Sequence, residues 1–241
     1  AVEHHIGIEA FEPKPADLQA NVRWIPAPAD RFDGVEEGAV DVMVDGGLGA
    51  LAELTCETDF VAKGSDFADL LDEIVHVVAE HGDADIEAQP LRDSTAGEVV
   101  KEAAGRLGEN IGLGRVVRYT SDDGLIDSYK HIQNDRGTIG VLVELGGVDP
   151  SDKARVVAHD VALHIASAAP AYLTRDEVPE DVVAAERDVF ENLSRNEGKP
   201  EQALPKIVDG RMNGWFKERV LLDQGARGGH GRVGVLLGLL E

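Results

Sequence analysis

Apolar residues take up a regular period only from about residue 40 onward. Before that point Pro13, Pro15, Pro26 and Pro28 interrupt any helix, so residues 1–34 are expected to be irregular. Val40, Val42 and Val44 then alternate with Asp41, Met43 and Asp45, the period-two signature of a half-buried strand. Asp45-Gly46-Gly47 predicts a hairpin turn, because glycine tolerates positive φ, and residues 48–54 run back as a second strand. Phe67, Leu70, Leu71, Ile74, Val77 and Val78 fall at i, i+3, i+4, i+7, i+10 and i+11, one continuous helical stripe. Ser65 is its expected N-cap, Asp66 and Asp69 suit the first turn, and Gly82 stops it. Thr95-Ala96-Gly97-Glu98 reads as a capping box, with Val99, Val100, Ala103, Ala104 and Leu107 behind it and Gly108 at the end.

Strands return over residues 115–120 and 125–131, separated by the turn Ser121-Asp122-Asp123-Gly124. Residues 138–145 are apolar nearly throughout, which predicts a strand in the middle of a sheet. The last third reads as helical. Pro150-Ser151 opens one helix and Pro170 closes it; Pro179 starts another, with Val183, Phe190 and Leu193 along its inner side. Gly198-Lys199-Pro200 is a stop, a link and a new start, and Ile207, Val208, Trp215 and Phe216 mark the helix beyond. Two long helices joined so tightly form an antiparallel hairpin. After Gln224 the chain is glycine-rich.

These elements predict an α+β fold: a two-subdomain core of antiparallel strands packed by helices, with a projecting antiparallel helical hairpin. The expected divisions are an irregular segment over 1–34, core subdomains over 35–120 and 121–173, the hairpin over 174–222 and a glycine-rich tail over 223–241. The strand–helix–helix–strand order from 48 to 120, followed by strands and a helix, hints at two related halves.

Composition narrows the function. With 241 residues, 43% hydrophobic and 29% charged, the chain suits a soluble globular protein whose core is mainly aliphatic, since aromatics are only 5%. A net charge of −23 opposes direct binding to nucleic acid or to an anionic membrane and suits docking on a basic protein surface, or simply solubility. The single cysteine, Cys56, rules out an internal disulfide, and together with the absence of a signal-like N-terminus it points to the cytoplasm.

Candidate chemistry is sparse. There is no G-x-x-x-x-G-K-[ST] run, and Gly46-Gly47-Leu48-Gly49 precedes a strand instead of opening a helix. His76 and His81, like His159 and His164, are five apart and so lie about 140° apart around a helix, not on one metal-binding face. No G-x-S-x-G is present, and Cys56 at a strand end reads as a buried thiol. No cofactor, resident metal or catalytic residue is expected, and the chain reads as a non-enzyme. One surface feature remains. Thr58-Asp59-Phe60-Val61 lies where a strand ends and a helix begins, so its side chains either project from a loop or, for Phe60, pack beneath it while Asp59 caps the helix.

The residues 54–63 (Leu-Thr-Cys-Glu-Thr-Asp-Phe-Val-Ala-Lys) are similar to the most characteristic motif of the elongation factor Ts family. Gly108-Glu109-Asn110-Ile111, Ser128-Tyr129-Lys130-His131, Ile139-Gly140-Val141-Leu142-Val143, the stretch 162–170, Val178-Pro179-Glu180, Glu197-Gly198-Lys199-Pro200 and Ile207-Val208-Asp209-Gly210-Arg211 follow in the family's order. The resemblance covers roughly residues 35–224, and 197–224 especially resemble actinobacterial members. It implies guanine-nucleotide exchange on elongation factor Tu during translation. Asp59 and Phe60 would form a wedge near the GTPase nucleotide site that displaces Mg²⁺, flanked by Thr58 and Val61, and His164 would either match a partner-contacting position or be a helix histidine packed in the core.

Two departures bear on this. Residues 1–34 show nothing like the family's helical docking module, with its L-R-x-x-T-G-A-G-M-like stretch, and residues 225–241 do not continue into the further strand usual in the family. A weakened grip on the GTPase is expected. The alternative reading is an acidic interaction protein that keeps the elongation factor Ts core without exchange. The helical hairpin could also serve as a homodimer surface.

Overall fold

The computed structural model describes residues 37–225 and Val233. The irregular segment expected over 1–34 and most of the tail expected over 223–241 lie outside the described residues.

The alternation around Val42 forms β1 (Glu37–Asp45), which a two-residue turn reverses into β2 (Leu48–Cys56). Gly46 takes φ +58 in that turn, a region costly for any residue with a Cβ. A single helical turn, α1 (Asp59–Ala62), leads directly into α2 (Ser65–His81). The cap of α2 is Gly64, not Ser65: Gly64 N–H donates to Val61 O at 2.9 Å, closing α1, so the new helix starts one residue before the expected cap could act. A short ladder of β3 (Pro90–Leu91) and β4 (Ser94–Thr95) precedes α3 (Ala96–Leu107). Thr95 Oγ1 accepts from Glu98 N at 3.3 Å, the expected cap, and Gly108 ends the helix at φ +77. β5 then runs over Gly112–Thr120 and pairs antiparallel with β2, giving the order β1–β2–β5. It starts earlier than position 115 because Gly112 and Gly114, poor strand formers, fit where Thr55 and Glu53 side chains crowd the backbone.

Alternation on β2 sends neighbouring side chains to two different interiors. Ala50, Ala52 and Leu54 meet Phe67, Leu70, Ile74 and Val78 of α2 and Val99, Val100 and Ala103 of α3. Leu51 points the other way, beside Val42 and Val117, against Ile126 and Leu142 of a second sheet. That sheet is the hairpin of β6 (Leu125–Gln133) and β7 (Arg136–Leu145).

The expectation that residues 138–145 run mid-sheet is corrected here. Among the described residues β7 pairs only with β6. Its apolar run has another cause, burial on both faces: Val141, Val143 and Leu145 pack on Val157, Ala158, Val161 and Ile165 of α4 (Asp152–Ala168), while Leu142 faces Leu51. Each such aliphatic side chain removed from water contributes about 1.5–3 kcal/mol. The core is therefore four layers deep, helices outside and two sheets within.

Ser151 caps α4 through Ala154 N at 3.3 Å, and the chain turns at Ala169 before Pro170. The hairpin is α5 (Glu180–Asn196) and α6 (Leu204–Arg219), joined through Gly198 at φ +73. Val208, Met212 and Trp215 pack with Val183 and Phe190 between them. Leu193, expected on the inner side, is instead 44% exposed. Ser194 occupies the inward position, fully buried, and its hydroxyl donates to Phe190 O at 2.7 Å. The spacing explains the correction, because Ser194 lies i+11 from Val183, about 20° from it around the helix, whereas Leu193 lies about 80° away. No helix among the described residues is long and apolar enough to cross a membrane.

Candidate functional site

The stretch after β2 is not the open loop that the sequence suggests. Thr58 is extended (φ −130, ψ 150), and its Oγ1 accepts from Val61 N at 3.3 Å, the side-chain bond of an N-cap. Ala62 N–H donates to Thr58 O and Lys63 N–H to Asp59 O, each at 3.2 Å, completing one turn of helix. Thr58, not Asp59, is the cap. The helical period then sorts the four residues. Val61, 8% exposed, and Ala62 anchor the turn in the core beside α2. Phe60 is thrown to the opposite side and is 84% exposed, so it does not pack beneath the segment. An aromatic ring this exposed gains nothing for the fold from hydrophobic burial.

Asp59 stands beside it, also exposed, and accepts from Lys63 Nζ at 2.5 Å. That hydrogen bond and the charge of Lys63 hold the Asp59 carboxyl below its ordinary range, with a smaller contribution from Arg136. Arg136 reaches in from the start of β7, donates to Gly38 O at 3.0 Å and pairs with Glu37. Strand β1, β7 and the end of β2 therefore meet at this edge of the molecule.

Beneath the turn, Cys56 donates its thiol proton to Thr58 O at 3.2 Å. Burial, helped by the nearby charge of Glu109, pushes that thiol up from 9.0 to about 11. Such a group is a poor nucleophile, as expected for an inert buried cysteine. Glu109, from the link between α3 and β5, accepts from Glu57 N at 3.2 Å and Thr58 N at 3.0 Å through Oε2, and from the Thr58 hydroxyl through Oε1. Glu109 belongs to the motif noted at 108–111, yet nothing in its local sequence shows a contact made across more than fifty residues.

Of the four residues singled out, the fold thus turns Asp59 and Phe60 outward and uses Thr58 and Val61 to hold them. His164 lies elsewhere, on α4. It is 7% exposed, and its Nε2 is 2.8 Å from Gln224 Oε1. The Gln224 amide nitrogen donates to Glu218 O at 2.8 Å, so the amide oxygen faces the ring and His164 Nε2 carries the proton. Contact between this ring and another protein would require the pair to open. His159, on the same helix, is exposed and lies 3.1 Å from Asp127 Oδ1.

The family model described as "Elongation factor TS" matches residues 57–226, from the base of the exposed turn to beyond the helical hairpin. Elongation factor Ts of Mycobacterium bovis and that of Mycobacterium tuberculosis are each 44% identical to this chain over 194 residues, which is 78% of this chain and 69% of theirs. The Arthrobacter protein of the same name is 43% identical over 193 residues, covering 78% and 68%. The family match alone spans the exposed turn, the β6–β7 sheet and the helical hairpin, and with this much of the chain in common with its relatives the chain belongs to the elongation factor Ts family and has its role in translation elongation.

Proposed function

We propose that this protein accelerates release of GDP from elongation factor Tu, and that Asp59 and Phe60 form the part that enters the GTPase. The observation that carries this reading is the exposure of Phe60 on a capped, core-anchored turn. A bulky apolar side chain held in water on a rigid support has its favourable burial still to come, and a crevice in a partner supplies it. That burial contributes roughly 1.5–3 kcal/mol, enough to steer a tip but not to expel a nucleotide alone. The wider docking surface supplies the rest.

The exchange requires no covalent step. In the GTPase, Mg²⁺ neutralises the phosphates of GDP; when the wedge displaces it, phosphate charge is left uncompensated and the nucleotide leaves faster. Asp59 is ionised at neutral pH, so it brings a negative charge that attracts the metal away from the phosphates and repels the phosphates themselves, and this favours loss of the nucleotide. Factor and nucleotide then oppose each other's binding, and linkage makes the opposition mutual: incoming nucleotide expels the factor. The place of action is the cytoplasm, where translation runs.

Fluorescent mant-GDP preloaded on cognate elongation factor Tu tests this. Release should accelerate with added protein and saturate. An unchanged rate at saturating protein would leave the alternative, an acidic protein that docks without exchange.

A further inference from the structure

We infer that Glu109 is a positioning residue for the Asp59–Phe60 tip, a role that rests on the exchange reading. The turn α1 has four residues, too few to sustain a helix alone, since nucleating one is unfavourable. Its shape depends on Thr58 staying extended with its hydroxyl aimed at Val61 N. Glu109 enforces both conditions. Through Oε2 it holds the backbone amides of Glu57 and Thr58, at 3.2 and 3.0 Å, and through Oε1 it takes the only proton of the Thr58 hydroxyl. With that proton committed, the lone pairs of Thr58 Oγ1 are free to accept from Val61 N at 3.3 Å. The hydroxyl is thereby polarised in the capping direction by a charge-assisted bond.

Glu109 is itself fixed by the elements on either side. Gly108 ends α3 in the left-handed region, and β5, beginning at Gly112, is paired with β2. The clamp thus ties the base of the tip to the β1–β2–β5 sheet through β5 as well as through its own chain connection to β2. The hydrogen bonds of the carboxylate go to Glu57 and Thr58, not to Asp59 or Phe60. It acts through Thr58.

The test is a double-mutant cycle in mant-GDP release from elongation factor Tu, read as maximal rate and half-saturating concentration, with melting temperature recorded for each variant. Glu109→Ala should lower the maximal rate about tenfold, the loss expected of a charge-assisted hydrogen-bond set, and leave half-saturation within about twofold. In a Phe60→Ala background the same substitution should change the rate little, because the tip it positions is already blunt. Glu109→Gln, which keeps an acceptor for the two amides but not a second one for the hydroxyl, should fall between. A full rate in Glu109→Ala, or an equal fractional loss in both backgrounds, would overturn the positioning role while leaving exchange intact. Phe60→Ala at the wild-type rate would overturn the tip itself and this role with it.

Discussion

Gly137 of β7 lies so tightly against Val40 of β1 that a Cβ on Gly137 would stand 2.1 Å from the Val40 carbonyl oxygen. The contact joins the two halves of the core near the edge that carries the exposed turn. Because the obstructing atom is backbone, it cannot rotate away, and relief would require the sheets to separate. Gly137→Ala should therefore destabilise the protein by about 1–3 kcal/mol in urea unfolding. Gly210, in the middle of α6 with open space around its Cα, is the control. Gly210→Ala should be neutral or stabilising by up to about 1 kcal/mol.

The buried His164–Gln224 pair should behave as structure. Gln224→Leu leaves the His164 Nε2 proton without its acceptor, and a stranded buried donor costs about 1–3 kcal/mol. Equilibrium unfolding measures this directly. Unchanged stability would mean that the ring had found water or another acceptor.

Cys56 sets a pH dependence at the alkaline end. Its folded thiol is raised, so the folded state holds that proton more tightly than the unfolded chain does. The associated stability is complete below the ordinary value of 9.0 and is lost as pH rises from there through about 11. Melting temperatures between those limits should fall more steeply in the wild type than in Cys56→Ala.

At the acid end the sign reverses for Asp59. Its folded carboxyl is lowered by Lys63, so the contribution of that pair is present above the ordinary carboxylate value and vanishes as pH falls through the lowered one. Lys63→Ala should move the Asp59 carboxyl titration, followed by NMR, back toward 3.8. At neutral pH Asp59 is charged with or without Lys63.

Much of this architecture is legible in residue order alone. The stripe from Phe67 to Val78, the Thr95 cap and the Ser151 cap announce their helices, because each signal is local and each is satisfied within one or two turns. What order cannot show is which buried face meets which. Residues 138–145 look like a central strand because burial on both faces leaves the same apolar imprint whether the second cover is another strand's neighbour helix or a whole second sheet. Leu193 misleads for a related reason: a leucine flanking the stripe looks inward until Ser194 is seen to hold the inner position. At the exposed turn, Thr58 followed by an acidic residue is a helix-start signal, but one easily read as loop before the longer α2. Glu109 carries no local signal, since its partners are brought to it only by the pairing of β5 with β2.

Phe60→Ala in elongation factor Tu nucleotide release is the most direct measurement of the central claim. Since Phe60 is 84% exposed, the substitution should leave the melting temperature unchanged. The maximal rate of mant-GDP release should fall about tenfold or more, as expected if burial of the ring is used in the partner. A folded Phe60→Ala protein that releases GDP as fast as the wild type would contradict the account.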